Sequence, residues 1–157
     1  EKEDLFVPLK GEKYDGHDFI GNILSENRLK GFLYSSSNSI PEIPDDCFAI
    51  EVKDTLYALG RLASFHRKRV HSEVIGITGT NGKTTTKELI AQIFSLKYKT
   101  LKSEKNYNNE VGVPFTLFRL SQEDRYAVIE MGMNHSGEIS RLSSYAQPDS
   151  ALITNAV

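Results

Sequence analysis

Apolar positions along the chain gather in short runs separated by turn residues, and the rhythm of those runs changes near residue 73. Before that point, β-like runs stand at 5–7, 31–34 and 47–52. The turn-rich segments Ser35-Ser36-Ser37-Asn38-Ser39 and Pro41-Glu42-Ile43-Pro44-Asp45-Asp46 separate the second run from the third. A short helix fits 19–27. A longer one fits 54–70, where Asp54 is placed to cap it and Leu56, Leu59, Ala63 and His66 share a face, with Leu62 and Phe65 beside them. Arg67-Lys68-Arg69 then put cations at the negative end of the helix dipole, and they read as a solvated helix end rather than a nucleic-acid patch. Cys47 opens the third run and reads as a small core residue.

From Val74 onward, β runs at 74–78, 100–102, 126–130 and 150–154 alternate with helical stretches at 83–95, 114–120 and 137–146. Pro114 suits a first helical turn. Strands alternating with helices predict an α/β fold, a mostly parallel sheet with helices flanking both faces. The polar joint His71-Ser72-Glu73 divides the chain into 1–72 and 73–157. The run at 150–154 reads as an interior strand. Active groups gather just past the carboxyl ends of parallel strands, so a chain that stops three residues later is expected to have further site residues beyond it.

The segment Thr78-Gly79-Thr80-Asn81-Gly82-Lys83-Thr84-Thr85 follows an apolar strand and opens a helix. Glycines there let the backbone turn tightly and aim successive N–H groups at a phosphate chain. The new helix adds its free N–H groups and its positive dipole end. Lys83 offers a mobile charge for β- and γ-phosphates, and the Thr84 hydroxyl can ligate Mg²⁺. The pattern is a variant: the generic loop places a glycine where this chain has Ile77, so Gly79 and Gly82 must do the turning. The expected ligands are ATP and Mg²⁺, held by Gly79, Thr80, Asn81, Gly82, Lys83, Thr84 and Thr85.

A phosphate loop works with a carboxylate at the end of a neighbouring strand. Glu130 closes the run 126–130 and precedes Met131-Gly132, a glycine that would let a ligand come close, so Glu130 and Thr84 are the expected metal ligands and Lys83 and Glu130 the catalytic pair. The amides of Asn106, Asn108 and Asn109 suit a ligand rich in carbonyls and phosphates, and they suit turns equally well. Asn134 and His135 follow Glu130 into a loop at the same edge, where His135 either orients a phosphate or metal or is simply exposed. His17 lies in a segment whose Asp15-Gly16 makes a turn. His66 and His71 read as structural or solvated.

Composition narrows the function. The 157 residues are 39% hydrophobic and 25% charged, as a cored protein requires, and a net charge of −2 gives no sign of nucleic-acid or anionic-membrane binding. No apolar run approaches the ~20 residues of a membrane span, and Glu1-Lys2-Glu3-Asp4 is the opposite of a signal peptide's start. A single cysteine permits a reducing cytoplasm.

These motifs resemble those of the Mur ligases, ATP-dependent amide ligases of peptidoglycan precursor synthesis. The loop is similar to that family's, including the missing first glycine. So are the segments Leu5-Phe6-Val7-Pro8-Leu9-Lys10-Gly11-Glu12-Lys13-Tyr14-Asp15-Gly16-His17-Asp18-Phe19, Asn106-Tyr107-Asn108-Asn109-Glu110-Val111-Gly112-Val113-Pro114 and Glu130-Met131-Gly132-Met133-Asn134-His135-Ser136-Gly137-Glu138-Ile139. Within the family they resemble the member that joins D-alanyl-D-alanine to UDP-N-acetylmuramoyl-tripeptide through an acyl phosphate.

The resemblance implies that 1–72 is the latter part of a small α/β UDP-substrate domain. Residues 73–157 would then be the first part of a P-loop-type ATPase domain, left incomplete. It assigns substrate contacts to Asn106, Asn108, Asn109, Asn134 and His135. It implies a cytoplasmic, monomeric parent with no nucleic-acid partner, and a chain inactive by itself, because a metal-binding His, a carbamylated Lys and a C-terminal domain lie further on in the family. A sister ligase, a folylpolyglutamate synthase-like enzyme and a non-catalytic nucleotide-binding module remain open beside this reading. A kinase or GTPase would leave the other three segments unexplained.

Overall fold

A computed structural model describes residues 4–26, 29–104 and 106–156. The acidic start Glu1-Lys2-Glu3 and the end of the expected first helix at Asn27 lie outside the described residues. The chain divides into two compact units, up to Leu59 and from Gly60 onward.

The first unit is a three-stranded parallel sheet in the order β1 (Asp4–Phe6), β2 (Leu29–Ser35), β3 (Phe48–Val52). The central strand β2 buries Leu29, Phe32 and Leu33. A 3-10 turn (Gly16–Phe19) and the short helix α1 (Ile20–Ser25) link β1 to β2. Asp15 Oδ1 accepts the His17 N–H at 3.0 Å and faces His17 Nδ1 at 2.5 Å. His17 Nε2 accepts the Ser35 N–H at 3.0 Å, so Nδ1 is the ring nitrogen whose hydrogen points at Asp15. Those bonds from His17 hold the Asp15 carboxyl below the usual carboxylate range. Beyond the expected turn, His17 therefore ties that turn to β2. Two expectations fail in this region. Cys47 precedes β3 and is only half-buried, and β3 exposes Phe48 and Ile50, which stand two residues apart on one face of the strand that is left open.

Helix α2 (Thr55–Arg69) follows, with Asp54 Oδ1 accepting the Tyr57 N–H at 2.9 Å, as the sequence predicts. Leu59 and Ala63 are buried, whereas Phe65 lies on the solvent side. Arg67 is not a solvated end. It donates to the carbonyls of Ala146 and Gln147 and to Asp149 Oδ2, binding the helix to the segment after α5.

The second unit is a four-stranded parallel sheet in the order β5 (Thr100–Lys102), β6 (Tyr126–Glu130), β4 (Glu73–Thr78), β7 (Ser150–Ile153). Period-two alternation sends neighbouring strand residues to opposite faces. Val74, Ala127 and Ile129 join one core with Ala63, Leu117, Leu142 and Tyr145, from α2, α4 (Gly112–Phe118) and α5 (Glu138–Ala146). Ile77 and Val128 pack on the other face against Ala91 of α3 (Lys83–Ser95). The strand expected to be interior, β7, is the outermost of the described strands on its side. It pairs with β4 alone among the described strands and exposes all four residues in this chain. Among the described residues no helix is long and apolar enough to cross a membrane.

Glu138 opens α5 by folding back on the preceding loop. Its carboxylate accepts the N–H groups of Asn134 (2.6 Å) and His135 (3.2 Å) and pairs with His135 Nδ1 (3.0 Å). These bonds, led by that from Asn134, bring the Glu138 carboxyl down from 4.5 to about 2.

Two outcomes follow from the packing. Gly60 lies under the buried ring of Tyr145, where a Cβ would overlap the ring carbons. Gly60→Ala is therefore expected to lower stability in thermal denaturation by about 1–3 kcal/mol, overpacking outweighing the ~1 kcal/mol gained in helix propensity. A stabilised variant would contradict that packing. For Glu138, a lowered folded-state value means its contribution to stability is present above pH 4.5 and fades as pH falls toward 2. The melting temperatures of the parent and Glu138→Gln should thus differ most above pH 4.5 and converge near pH 2.

Candidate functional site at the carboxyl edge of the second sheet

Because the four strands are parallel, their carboxyl ends lie along one edge. Ile77 is level with Glu130 and Thr78 with Ile153. After β4 the chain turns toward the α3 face, and after β6 toward the α5 face, so a crevice opens between the two departing loops. An open cleft of about 640 Å³ lies there, lined by Thr78, Gly79, Thr80, Lys83, Met133, Ile139, Ile153, Asn155 and Ala156.

The loop from Thr78 to Lys83 turns as the sequence requires. Gly79 and Gly82 take φ of +132° and +81°, and a Cβ at Gly79 would collide with Thr154 Oγ1. Gly82 stands at the N-cap of α3. The first helical N–H groups then have no intrahelical acceptor, the first inward bond being Thr86 N–H to Gly82 O at 2.9 Å. Lys83 folds over the loop, its Nζ donating to Gly79 O (2.7 Å) and Thr80 O (3.1 Å). A cation thus sits beside the open N–H groups at the start of α3.

Glu130 is buried at 5% exposure, and both carboxylate oxygens and its N–H are answered. Thr84 Oγ1 donates to Oε2 at 3.0 Å, Asn108 Nδ2 donates to Oε1 at 3.0 Å, and the Glu130 N–H donates to Ser103 Oγ at 3.0 Å. Lys87 Nζ stands 3.6 Å from Oε2 and 3.3 Å from Glu88 Oε1, with the Lys87 side chain 1% exposed. Lys102, and less so Lys87, holds the Glu88 carboxyl below its usual range. The site therefore contains a buried ammonium at Lys87 as well as the half-buried one at Lys83. Among the described residues no group of three or more His, Cys, Asp or Glu side chains stands together.

The expected substrate residues divide by partner. Asn106 is exposed with φ +71°, a turn residue. Asn108 is given to Glu130, and its carbonyl accepts the Gly132 N–H at 2.8 Å. What Gly132 admits closely is the Asn108 side chain, 3.1 Å from where a Cβ would stand. Asn109 Oδ1 accepts the N–H groups of Gly112 (2.8 Å) and Val111 (3.2 Å) at the entry to α4. Asn134 is exposed, and His135, its side chain 83% exposed, pairs with Glu138. Outside this edge, His66 Nε2 meets Leu120 O at 2.9 Å, a structural tie, and His71 is exposed.

Sequence reasoning passed over Lys87, Ser103, Thr154 and Asn155. In the sequence Lys87 is one more charge on an amphipathic helix. Its position one turn after Lys83, on the face turned toward β6, is the signal that would have found it. The others reach the site only through strand order.

Residues 77–156 match the model of the Mur ligase middle domain. The chain is 42% identical over 155 residues to the UDP-N-acetylmuramoyl-tripeptide–D-alanyl-D-alanine ligase of Bacillus subtilis, covering 99% of the chain and 33% of that protein. It is 43% identical over 151 residues to the enzyme of the same name from Escherichia coli, covering 96% and 32%. Among solved structures, MurF from Acinetobacter baumannii superposes with a TM-score of 0.84 at 38% identity, over 98% of this chain and 33% of that one. MurF ligase from Thermotoga maritima, solved in complex with ADP, gives 0.86 at 30% identity, over 98% and 35%. The chain spans about a third of the length of these relatives. With the matched segment beginning in β4 and running through the phosphate loop, Glu130 and β7, the chain belongs to the Mur ligase family.

Proposed function

We propose that the full-length protein is an ATP-dependent amide ligase of the cytoplasm. It would join D-alanyl-D-alanine to UDP-N-acetylmuramoyl-tripeptide through an acyl phosphate, in peptidoglycan precursor synthesis. The observation that carries this reading is the 3.0 Å contact between Thr84 Oγ1 and Glu130 Oε2, beside the open N–H groups of the first turn of α3. It pairs a hydroxyl and a carboxylate, both hard oxygen donors, next to a cradle for anions. Relatives named for that activity, about 40% identical across almost the whole chain, support the choice of substrates.

The residues present fit Mg²⁺. Two protein oxygens, from Thr84 and Glu130, leave the other positions to phosphate oxygens and water, the arrangement this ion favours over an all-protein cage. When bound, the ion supplies positive charge against the β- and γ-phosphate oxygens. Gly79, Thr80, Asn81, Gly82, Lys83, Thr84 and Thr85 form the nucleotide site. In it the N–H groups at the start of α3 receive phosphate oxygens, and Lys83 exchanges its two loop carbonyls for them.

The chemistry asks for this arrangement. The terminal carboxylate of the tripeptide attacks the γ-phosphorus, the bond to the β-phosphate oxygen breaks, and ADP leaves with an acyl phosphate formed. The amine of D-alanyl-D-alanine then attacks the acyl carbon and inorganic phosphate departs. The first attack brings anions together, and fixed positive charge at Lys83 offsets their repulsion. Asn108 keeps Glu130 in place by its bond to Oε1, and Asn109 fixes the start of α4 behind it. Asn106, Asn134 and His135, exposed at the same edge, are available to the phosphates and carbonyls of the substrate.

In the full-length protein, phosphate release from ATP is expected to require both the UDP-linked tripeptide and D-alanyl-D-alanine. L-lysine or meso-diaminopimelate offered in place of the dipeptide should give none; release with either would point to a sister ligase. Lys83→Ala should lower kcat by about 10²–10³-fold, the usual loss when one preorganised charge or donor is removed. A near-normal kcat would show that the lysine has no part in the transfer.

A further inference from the structure

The phosphate loop is bonded on two sides, by its own Lys83 and by the segment after β7, and both reach the cleft. The exit of β7 runs along the loop. Thr154 N–H donates to Thr78 O at 2.9 Å, carrying the β4–β7 pairing one residue past the strand. Thr154 Oγ1 donates to Asn81 O at 2.5 Å. Asn155 Oδ1 then accepts two successive loop amides, Thr80 N–H at 3.0 Å and Asn81 N–H at 2.9 Å, and the Asn155 carbonyl shares the first at 3.2 Å. A side-chain amide oxygen has two lone pairs, and here both are used.

This bonding divides the loop's donors. In a glycine-rich turn every N–H is free to swing inward, and an anion can be gripped in several registers. Asn155 removes Thr80 and Asn81 from that set. What remains for a ligand is the run at the start of α3, the N–H groups of Gly82, Lys83, Thr84 and Thr85, which the helix itself does not use. The chemical type of residue 155 matters too. An aspartate would accept the same two amides, but it would set a negative charge on the lining of the cleft that receives a triphosphate. Asparagine supplies the acceptor without the charge.

We infer that Asn155 is a positioning residue for the triphosphate: by holding the Thr80 and Asn81 amides, it fixes which amides of the loop meet the phosphates. The inference rests on the nucleotide reading above and adds to it a residue more than 70 positions from the loop in sequence.

The experiment compares Asn155→Ala and Asn155→Asp in the full-length protein by amide hydrogen exchange without nucleotide, by calorimetry with MgATP, and by steady-state kinetics. Asn155→Ala should speed exchange at Thr80 and Asn81 at least tenfold and raise the Kd for MgATP about tenfold, as loss of two hydrogen bonds near the ligand implies. KM for ATP should rise with it while kcat at saturating ATP is kept. Asn155→Asp, nearly isosteric, should keep the two amides protected as in the parent yet bind MgATP more weakly through repulsion. Unchanged exchange in Asn155→Ala would overturn the inference, and so would equal acceleration in both variants. A parent protein that does not bind MgATP would refute the nucleotide reading instead, and the exchange comparison, run without nucleotide, would still decide the role of Asn155 in the loop.

Discussion

A carboxylate taken out of water at a strand end must be met by donors on every side or it will not stay charged and ordered. Around Glu130 those donors come from two separate pieces of chain, Thr84 and Lys87 from α3 and Asn108 from the loop after β5, while Ser103, just past β5, accepts the Glu130 N–H. They converge because the strands are parallel and level, with Ile77 beside Glu130 across the sheet. Were the register slipped by one residue, Glu130 would point to the opposite face and lose all of these partners. The site thus depends on strand register more than on any one side chain.

Much of this was legible in the sequence, and for physical reasons. An apolar run, a glycine pair and a Lys-Thr-Thr helix start encode local geometry, and the loop forms as those residues dictate, with left-handed φ at Gly79 and Gly82. The alternation of strands and helices after Val74 gave the parallel sheet, and Asp54 the start of α2. The misses share a different cause. Cys47 and Phe65 were assigned by their apolar character, but which side of an element is covered depends on neighbours distant in sequence. Asn155 and Ser103 carry no local signature; topology alone brings them to the loop and to Glu130.

Lys87 shows the limit of charge patterning most clearly. In the run Lys83-Thr84-Thr85-Thr86-Lys87-Glu88 it resembles a solvated helical lysine, yet it is almost wholly enclosed between two carboxylates. An ammonium so placed is tolerable only because those carboxylates answer it. Its charge is spent on those two carboxylates, so the cation left to face the cleft is Lys83 at its mouth.

The bare flank of β7 has a practical side. Leu152 and Ile153 are exposed there, on a strand whose outward ladder groups meet no other described strand. Such a flank is a template on which any extended polypeptide can zip, including another copy of itself. For whoever handles the chain in isolation, concentration is then as much a variable of its state as temperature, and a lysine or proline engineered into that strip becomes the natural safeguard against self-association.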